Sequence, residues 1–209
     1  MKSNILFKVF LLIQLILLYL RLNEVKGLFT LPNNITYRKL KVEDLNDDFL
    51  ARFKRYQVTN KVLANRENSL YEKEDYFIDD WDNAKKVNIA REMRNCVLTG
   101  GAVIGAFREE ELVGFANINN NHFGKTLDYV ELPYIHVSKN YRGYNVGKSL
   151  FYLCCESAKK LGARKLYIGA HPSIETQSFY KAMGCTLAKE INEEIYNREP
   201  LDIQLEYVL

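Results

Sequence analysis

The segment from His136 to Phe151, HVSKNYRGYNVGKSLF, constrains the fold most, because its pattern predicts a strand that passes through a glycine-containing turn directly into a helix. Gly143 and Gly147 lack the Cβ that would hold a ligand away from the backbone, and glycine adopts positive φ without strain. The first turn of the following helix presents free N–H groups and the positive end of the helix dipole to an anion. Arg142 and Lys148 add positive charge on the same rim. The segment therefore predicts a pyrophosphate site, and the alternative is a similar turn without a ligand.

Two common phosphate-binding motifs do not fit this segment. Gly147, Lys148 and Ser149 match the end of the phosphate loop of nucleotide hydrolases, but no glycine stands five positions before Gly147. The dinucleotide-binding fingerprint needs three glycines, and only Gly143 and Gly147 are present. A different kind of phosphate-bearing ligand is therefore expected.

The turn resembles the acyl-CoA-binding motif of the GNAT superfamily of N-acetyltransferases, Arg/Gln-x-x-Gly-x-Gly/Ala. One residue departs from the motif, because Asn145 stands where the first motif glycine is expected. Asparagine tolerates left-handed backbone geometry best after glycine, so we expect the turn to keep its shape. The resemblance implies that backbone N–H groups of this turn hold the pyrophosphate of coenzyme A. The predicted set is Arg142, Gly143, Tyr144, Asn145, Val146, Gly147 and Lys148.

A second signature of the same family is a helix that carries Phe-Tyr-x-x-x-Gly before the next strand. Phe179, Tyr180 and Gly184 occupy these positions. The resemblance implies that Tyr180 lies near the sulfur of coenzyme A and protonates the departing thiolate, which a phenol with a pKa of about 10 can do at neutral pH. The alternative is that Tyr180 is an aromatic core residue of an amphipathic helix. Ser173 stands where the family often has an asparagine that contacts the pantetheine arm, so we include it in the predicted site.

The strand before the turn supplies the remaining predicted site residues. Pro133 interrupts it and favours a splay or bulge. The resemblance implies that the strand around Ile135, His136 and Val137 contacts the coenzyme, with backbone groups of Ile135 and Val137 facing the pantetheine and the acetyl carbonyl. Glu131 occupies a position where several family members place a general base, and His136 is the rival candidate. Strand alternation places His136 opposite Ile135 and Val137, which favours a structural histidine instead.

The acceptor site is expected near the connection between the first two predicted helices, because family enzymes build it there. An acidic and aromatic wall would attract a cationic amine through Coulomb and cation–π interactions. The alternative is that these carboxylates are solvated or cap the second helix. We expect a small-molecule amine, polyamine-like or aminoglycoside-like. The residues concerned are Tyr71, Glu72, Glu74, Asp75, Tyr76, Phe77, Asp79, Asp80, Trp81 and Asp82.

The order of predicted elements is typical of an α/β fold. Alternation predicts a strand at 35–41, and helical spacing through Leu45, Phe49, Phe53 and Tyr56 predicts a first helix over 42–63. The remaining predictions are a helix at 82–98, a hairpin at 102–118, the strand at 127–137, a helix at 147–161, a strand at 165–170, a helix at 173–183, and closing strands at 185–191 and 202–209. The resemblance implies the GNAT acyltransferase fold, a mixed, mostly antiparallel central sheet splayed at its fourth strand and flanked by helices.

Residues 1–27 form a separate predicted segment, and residues 28–209 form the acetyltransferase domain. A basic start and an apolar run suggest a signal-like segment or an anchor, with a dispensable start as the alternative. The net charge of +3 lies entirely in this segment, so the rest is neutral and nucleic-acid binding is not expected. Because the enzyme needs acetyl-CoA, we expect an intracellular, cytoplasmic location, with membrane attachment or signal-directed transport through residues 1–27 as the alternatives.

The function predicted from these features is N-acetyl transfer from acetyl-CoA to a primary amine by direct attack in a ternary complex. Cys154, Cys155 and Cys185 lie in a predicted helix or after a helix end and have no adjacent base in the sequence, so an acyl-enzyme is not expected. No pair of histidines has the spacing of metal ligands, so no metal is expected. The alternative is a non-catalytic module that binds or senses acyl-CoA.

Overall fold

The structure is a computed structural model that describes residues 34–66 and 69–209. The predicted signal-like or anchor segment, residues 1–27, lies outside the described residues. In chain order the described elements are β1 Ile35–Lys39, β2 Tyr56–Arg66, β3 Ser69–Asp80, α1 Asn83–Leu98, β4 Ala102–Arg108, β5 Glu111–Ile118, β6 Tyr129–Glu131, β7 Ile135–Val137, α2 Val146–Lys160, β8 Lys165–Ala170, α3 Ile174–Met183, β9 Thr186–Leu187, α4 Glu193–Arg198 and β10 Ile203–Val208.

None of the helices in the described part of the chain combines the length and the apolar character needed to cross a membrane.

The strands form two four-stranded sheets and a separate hairpin. One sheet has the order β1-β4-β5-β7 and the other has the order β6-β8-β10-β9, while β2 pairs only with β3. The pairing of β6 with β8 is parallel, and the other pairings are antiparallel. The predicted long strand is thus divided between the sheets, since β6 pairs with β8 and β7 pairs with β5. The predicted splay is confirmed.

A β-bulge at Pro133 separates β6 from β7. Asn117 N–H donates to Tyr134 O at 3.1 Å, and Asn119 N–H donates to Glu131 O at 3.1 Å. An advance of two residues along β5 therefore corresponds to an advance of three residues along the split strand. The split strand thus contains one extra residue, as in a β-bulge. Since side chains alternate along a strand, the extra residue places Glu131 and Tyr134 on the same side. We call this side, which faces away from α2, the front face.

The core lies mainly between the sheets and the helices α2 and α3. Val130, Leu150, Phe151 and Leu166 are fully buried in one cluster. A second cluster on the front face joins Phe115 of β5 to Trp81 and to the buried face of α1. The two clusters cover opposite faces of the first sheet and fix the position of β7 between them.

The helices predicted at 82–98, 147–161 and 173–183 are confirmed as α1, α2 and α3. The side chain of Asp82 caps α1 by accepting from Lys85 N–H at 2.7 Å, and Ser173 caps α3 by accepting from Thr176 N–H at 3.3 Å. Gly184 ends α3 in the left-handed conformation with φ of 89°. These stop and start signals depend on local chemistry, which explains why the sequence indicates them well.

The first predicted helix, over 42–63, is wrong. A short 3₁₀ turn, Val42–Asp44, and a series of turns lead into β2, which forms a long hairpin with β3. Leu45 and Phe53 are buried in the second core cluster, but they reach it from these turns. The predicted closing strand at 185–191 is reduced to β9, and α4 was not predicted.

Candidate functional site

A cleft of about 600 Å³ opens where β7 and β8 separate. Small-molecule sites commonly have volumes of roughly 300–1,000 Å³, so the space suits an extended ligand. Most of the predicted site residues line it: Glu131, Ile135, His136, Val137, Arg142, Gly143, Asn145, Val146, Gly147, Lys148 and Tyr180.

The predicted phosphate turn closes one end of the cleft. Gly143 has φ of 80° and Asn145 has φ of 62°, so both adopt the left-handed conformation before α2 begins at Val146. A Cβ on Gly147 would lie 3.4 Å from Phe179 Cε2, which places the start of α2 in van der Waals reach of α3. The turn therefore keeps the shape expected from the motif, with Asn145 in place of a glycine.

The side chain of Arg142 binds the backbone on both sides of the cleft. Its Nε donates to Val137 O and its Nη2 donates to Tyr56 O, both at 3.2 Å. The guanidinium thus connects β7 to the start of β2. The carbonyl of Val137, predicted to face pantetheine, already accepts this hydrogen bond.

The backbone of β7 alternates between the neighbouring strand and the cleft. Asn117 N–H donates to Tyr134 O, and Ser138 N–H donates to Val113 O at 2.9 Å. In an antiparallel ladder with this register, the N–H and C=O of His136 face β5 and those of Ile135 and Val137 face away from it. The N–H groups of Ile135 and Val137 are therefore directed towards the opening between the sheets.

Tyr180 lies between the core and the cleft. Its ring is buried and packs near Phe151 and Phe179, with centroid separations of 6.4 and 5.1 Å. Its hydroxyl forms no hydrogen bond with any described residue. Burial raises the pKa of Tyr180, so the phenol retains its proton at neutral pH.

Glu131 is held by two donors on the front face. Asn119 Nδ2 donates to Glu131 Oε2 at 3.2 Å, and Arg198 of α4 forms an ion pair with the other carboxylate oxygen. Burial raises the pKa of Glu131, while Arg198 and Asn119 oppose this shift. The carboxylate lines the cleft but already has partners.

His136 projects to the front face and packs against aromatic rings. Its ring centroid lies 4.7 Å from that of Trp81 and 5.6 Å from that of Phe115. Burial, followed by the charges of Arg55 and Arg142, holds the pKa of His136 well below its usual value. His136 is therefore neutral, and it contributes an imidazole to the wall of the cleft.

Two predicted site residues do not line the cleft. Ser173 is buried, and its hydroxyl accepts from Gln57 Nε2 at 2.9 Å and donates to Thr176 Oγ1 at 2.9 Å. Tyr144 is exposed on the outside of the phosphate turn. The geometry gives Ser173 a role in capping α3 and holding β2, and it gives no support to a contact with pantetheine.

The predicted acidic and aromatic wall contributes Asp79 and Trp81 to the cleft, and most of its other members are exposed on the hairpin. Asp79 is not free, because its Oδ2 lies 3.2 Å from His171 Nε2 and 3.5 Å from Arg55 Nη2. Since Ser173 N–H donates to His171 Nδ1 at 3.2 Å, the ring proton is on Nε2 and faces Asp79. The hydrogen bond from His171 lowers the pKa of Asp79.

Arg55, immediately before β2, also lines the cleft, which the sequence did not suggest. Arg55 is only 6% exposed, and its Nε and Nη1 have no acceptor among the described residues. Burial lowers its pKa, with Asp79 opposing the shift. A ligand in the cleft that carries oxygen atoms could satisfy these donors.

Asp202, immediately before β10, is a further cleft residue that sequence reasoning missed. The pairing of Ile203 with Ala170 places it beside the end of β8. No local motif marks Asp202, because the antiparallel pairing of β10 with β8 brings it to the cleft.

A metal site requires several donor side chains that lie close together. Within residues 34–66 and 69–209, no group of three or more His, Cys, Asp or Glu side chains is placed to hold a metal ion. All four cysteines are free thiols.

A sheet split by a bulge, with a left-handed phosphate turn at the start of the following helix, defines the coenzyme-A-dependent acyltransferase class. The sequence profile described as acetyltransferase (GNAT) family matches residues 58–185. The chain belongs to the GNAT acetyltransferase family. Membership confirms the predicted fold, the predicted acyltransferase class and acetyl-CoA as the co-substrate.

Solved structures share the fold at low sequence identity. A nourseothricin acetyltransferase is 17% identical with a TM-score of 0.58, covering 82% of this chain and 95% of that one. A protein assigned as a streptothricin acetyltransferase, from Bacillus anthracis strain Ames and in complex with acetyl coenzyme A, is 15% identical with a TM-score of 0.60, covering 84% and 99%. PaiA N-acetyltransferase from Thermoplasma acidophilum, in complex with coenzyme A, is 16% identical with a TM-score of 0.53, covering 84% and 99%. A search of curated proteins found no match.

Proposed function

We propose that this acetyltransferase transfers the acetyl group of acetyl-CoA to the primary amine of a small molecule by direct attack within a ternary complex. The observation that carries the proposal is the cleft itself. It joins a left-handed phosphate turn at one end to a buried phenol and to front-face carboxylates along its walls. One ligand with a pyrophosphate and a thioester fits this order of chemical groups.

The phosphate end would be bound chiefly by backbone N–H groups. The first turn of α2, from Val146, offers donors that have no acceptor within the helix, and the helix dipole favours an anion there. Lys148 adds a positive charge on the rim of the cleft. Because the Arg142 side chain is occupied by two carbonyls, its role is to hold the turn rather than to bind phosphate through its fork.

The thioester would lie between β7 and Tyr180. The N–H groups of Ile135 and Val137 face the opening, so they can donate to the acetyl or pantetheine carbonyl. The Tyr180 hydroxyl, which has no partner among the described residues, can donate its proton to the departing thiolate. Cys154, buried beneath the cleft, has a pKa well above its usual value because of burial, so it is unsuited to form an acyl-enzyme.

A cationic amine is the acceptor that the front face favours. Glu131, Glu199 and Asp202 line this part of the cleft. Carboxylates near a low-dielectric wall attract an ammonium group. Two of the similar structures carry the names of a nourseothricin and a streptothricin acetyltransferase, and these names support a small-molecule acceptor.

The test is a thiol-release assay of the full chain with acetyl-CoA and a panel of amines, combined with calorimetric measurement of coenzyme A binding. The panel contains a polyamine, an aminoglycoside, a neutral aromatic amine and a peptide with a free amino terminus. We expect binding of coenzyme A and turnover that is fastest with the small cationic amines. Absence of measurable affinity for coenzyme A at millimolar concentration contradicts the proposal. Binding without turnover of any amine selects the acyl-CoA-sensing alternative instead.

A further inference from the structure

Asp202 occupies a position on the front face that Gly169 of β8 leaves open. Leu166, Ile168 and Ala170 pack into the core beneath the sheet, so the alternate residue Gly169 faces the other side. A Cβ on Gly169 would lie 3.7 Å from Asp202 Oδ2. The carboxylate therefore lies directly above the backbone of β8, on the wall of the cleft.

The position of Asp202 relative to Glu131 follows from the strand register. Glu131 pairs with Tyr167 across the parallel ladder, and Gly169 follows two residues later on the same face. Two residues of extended chain span about 7 Å. Asp202 thus lies further along the opening between β7 and β8 than Glu131 does, towards the phosphate turn.

The Asp202 carboxylate has no hydrogen-bond donor among the described residues. Its backbone is anchored, because Asp202 N–H donates to Glu199 O at 2.9 Å and Asp202 O accepts from Gln204 Nε2 at 3.3 Å. Glu131 differs, since Asn119 and Arg198 occupy both of its oxygens. Glu199 also lines the cleft without a side-chain donor, but it is exposed, so Asp202 is the half-buried cleft carboxylate with lone pairs available to a ligand.

Groups from four elements face Asp202 without bonding to it. His171 follows β8, Glu199 follows α4, Asp79 ends β3, and Tyr180 lies on α3. Burial is the largest influence and raises the pKa of Asp202 to about 6, with His171 lowering it and the two carboxylates raising it. A carboxylic acid with this pKa exchanges protons near neutral pH, which suits a general base.

We propose that Asp202 is the group that removes the proton from the ammonium form of the acceptor. This inference rests on the proposed function and deepens it. The carboxylate takes one proton from R–NH₃⁺, and the nitrogen lone pair of R–NH₂ then attacks the thioester carbonyl carbon. The C–S bond breaks, the thiolate takes the proton of the Tyr180 hydroxyl, and the second nitrogen proton returns to the phenolate. The products are the N-acetyl amide and coenzyme A, and Asp202 releases its proton to solvent.

Glu131 acquires a different role under this assignment. Its ion pair with Arg198 and its hydrogen bond from Asn119 fix α4 against the split strand. Because α4 leads to the turn that carries Asp202, Glu131 acts as a positioning residue for the loop between α4 and β10. Removing its charge should weaken binding of the acceptor without removing the titration that controls the rate.

The experiment compares Asp202→Asn, Asp202→Glu, Glu131→Gln and Asp48→Asn in the full chain. Asp48 is exposed in the turns before β2 and does not line the cleft, so Asp48→Asn is the matched control for the loss of one carboxylate. For each variant kcat/KM for the amine is measured from pH 5 to pH 9, together with the affinity for coenzyme A. The wild-type rate should fall as the pH drops below about 6, because the base becomes protonated.

We expect Asp202→Asn to lower kcat/KM at pH 7 by about 100-fold and to lose the acidic limb, with unchanged affinity for coenzyme A. Asp202→Glu should restore part of the rate with a shifted limb, and Asp48→Asn should match the wild type. A wild-type profile in Asp202→Asn, or loss of the acidic limb in Glu131→Gln instead, overturns the assignment while the acetyltransferase activity stands. Absence of turnover by the wild type with every amine overturns the proposed function and this inference together.

Discussion

Tyr180 combines a ring that the core holds in place with a hydroxyl that the core does not use. The phenyl group packs against Phe151 and Phe179, so Tyr180→Phe should fold normally. We expect the substitution to lower kcat by about 100-fold, because the thiolate then departs without its proton donor. The KM for acetyl-CoA should stay within about twofold, since the ring that borders the ligand remains. Steady-state kinetics with a saturating amine measure both constants.

Tyr152→Phe is the control for this substitution. Tyr152 lies on the exposed side of α2, where loss of a hydroxyl should not alter kcat. Equal activity of Tyr180→Phe and the wild type would exclude Tyr180 as the general acid and would return it to its alternative interpretation as an aromatic core residue.

Single residues differ in how well the sequence indicates them. The phosphate turn and Tyr180 could be predicted because their roles depend on short local motifs. Asn145 could also be judged correctly, because its ability to adopt φ of 62° is a property of the residue itself. Arg55 and Asp202 could not, because each reaches the cleft only through pairing between strands that are distant in the sequence.

At the scale of elements, the hairpin of β2 and β3 shows why the first predicted helix is wrong. Its inner face carries buried polar residues, Gln57 and Thr59, while Val58 and Ile78 are exposed on its outer face. In a typical half-buried strand the apolar side chains are buried and the polar side chains are exposed. The hairpin has the opposite arrangement, so its sequence does not show the usual strand pattern. The inversion follows from position, because the inner face borders a polar cleft rather than the core. The elements α1, α2 and α3, which cover apolar core, were predicted correctly.

The connection between the hairpin and the split strand depends on Arg142. A guanidinium can donate to Val137 O and Tyr56 O at once, whereas the single ammonium of lysine cannot span both carbonyls in the same way. We expect Arg142→Lys to increase amide hydrogen exchange at the start of β2 by about tenfold, which corresponds to the loss of one hydrogen bond. Hydrogen exchange followed by mass spectrometry measures this change.

Lys148→Gln is the control for Arg142→Lys, because it removes a positive charge from the phosphate rim without removing the hydrogen bond that holds β2. Lys148 lies on the phosphate rim and binds no hairpin carbonyl, so its substitution should weaken coenzyme A binding and leave exchange in β2 unchanged. If both variants give the same exchange pattern as the wild type, the Arg142 side chain does not hold the hairpin.

At the scale of the whole molecule, the cleft exists because one strand belongs to two sheets. The bulge at Pro133 transfers the chain from the partner β8 to the partner β5, and helices α2 and α3 close the gap only from below. Charged groups line the open side, including Arg55 and Asp202, neither of which is fully hydrogen-bonded within the described residues. Such groups reduce the stability of the fold, and they remain where a substrate needs them.

The effect of this arrangement on the free energy of unfolding can be measured at Asp202. Its pKa is about 6 in the folded protein and near 3.8 in the unfolded chain, so the native state holds the proton more tightly. The contribution of this group to stability is therefore complete below about pH 3.8 and is lost as the pH rises through about 6. Asp202→Asn should be more stable than the wild type above pH 7, by on the order of 1–3 kcal/mol, and the difference should shrink towards pH 4. Urea unfolding at several pH values tests this, with Asp48→Asn as the control. A pH-independent difference would show that the native cleft does not raise the pKa of Asp202, and a less stable Asp202→Asn at pH 7.5 would show that the cleft stabilises the carboxylate. Either result would contradict the raised proton affinity assigned to Asp202.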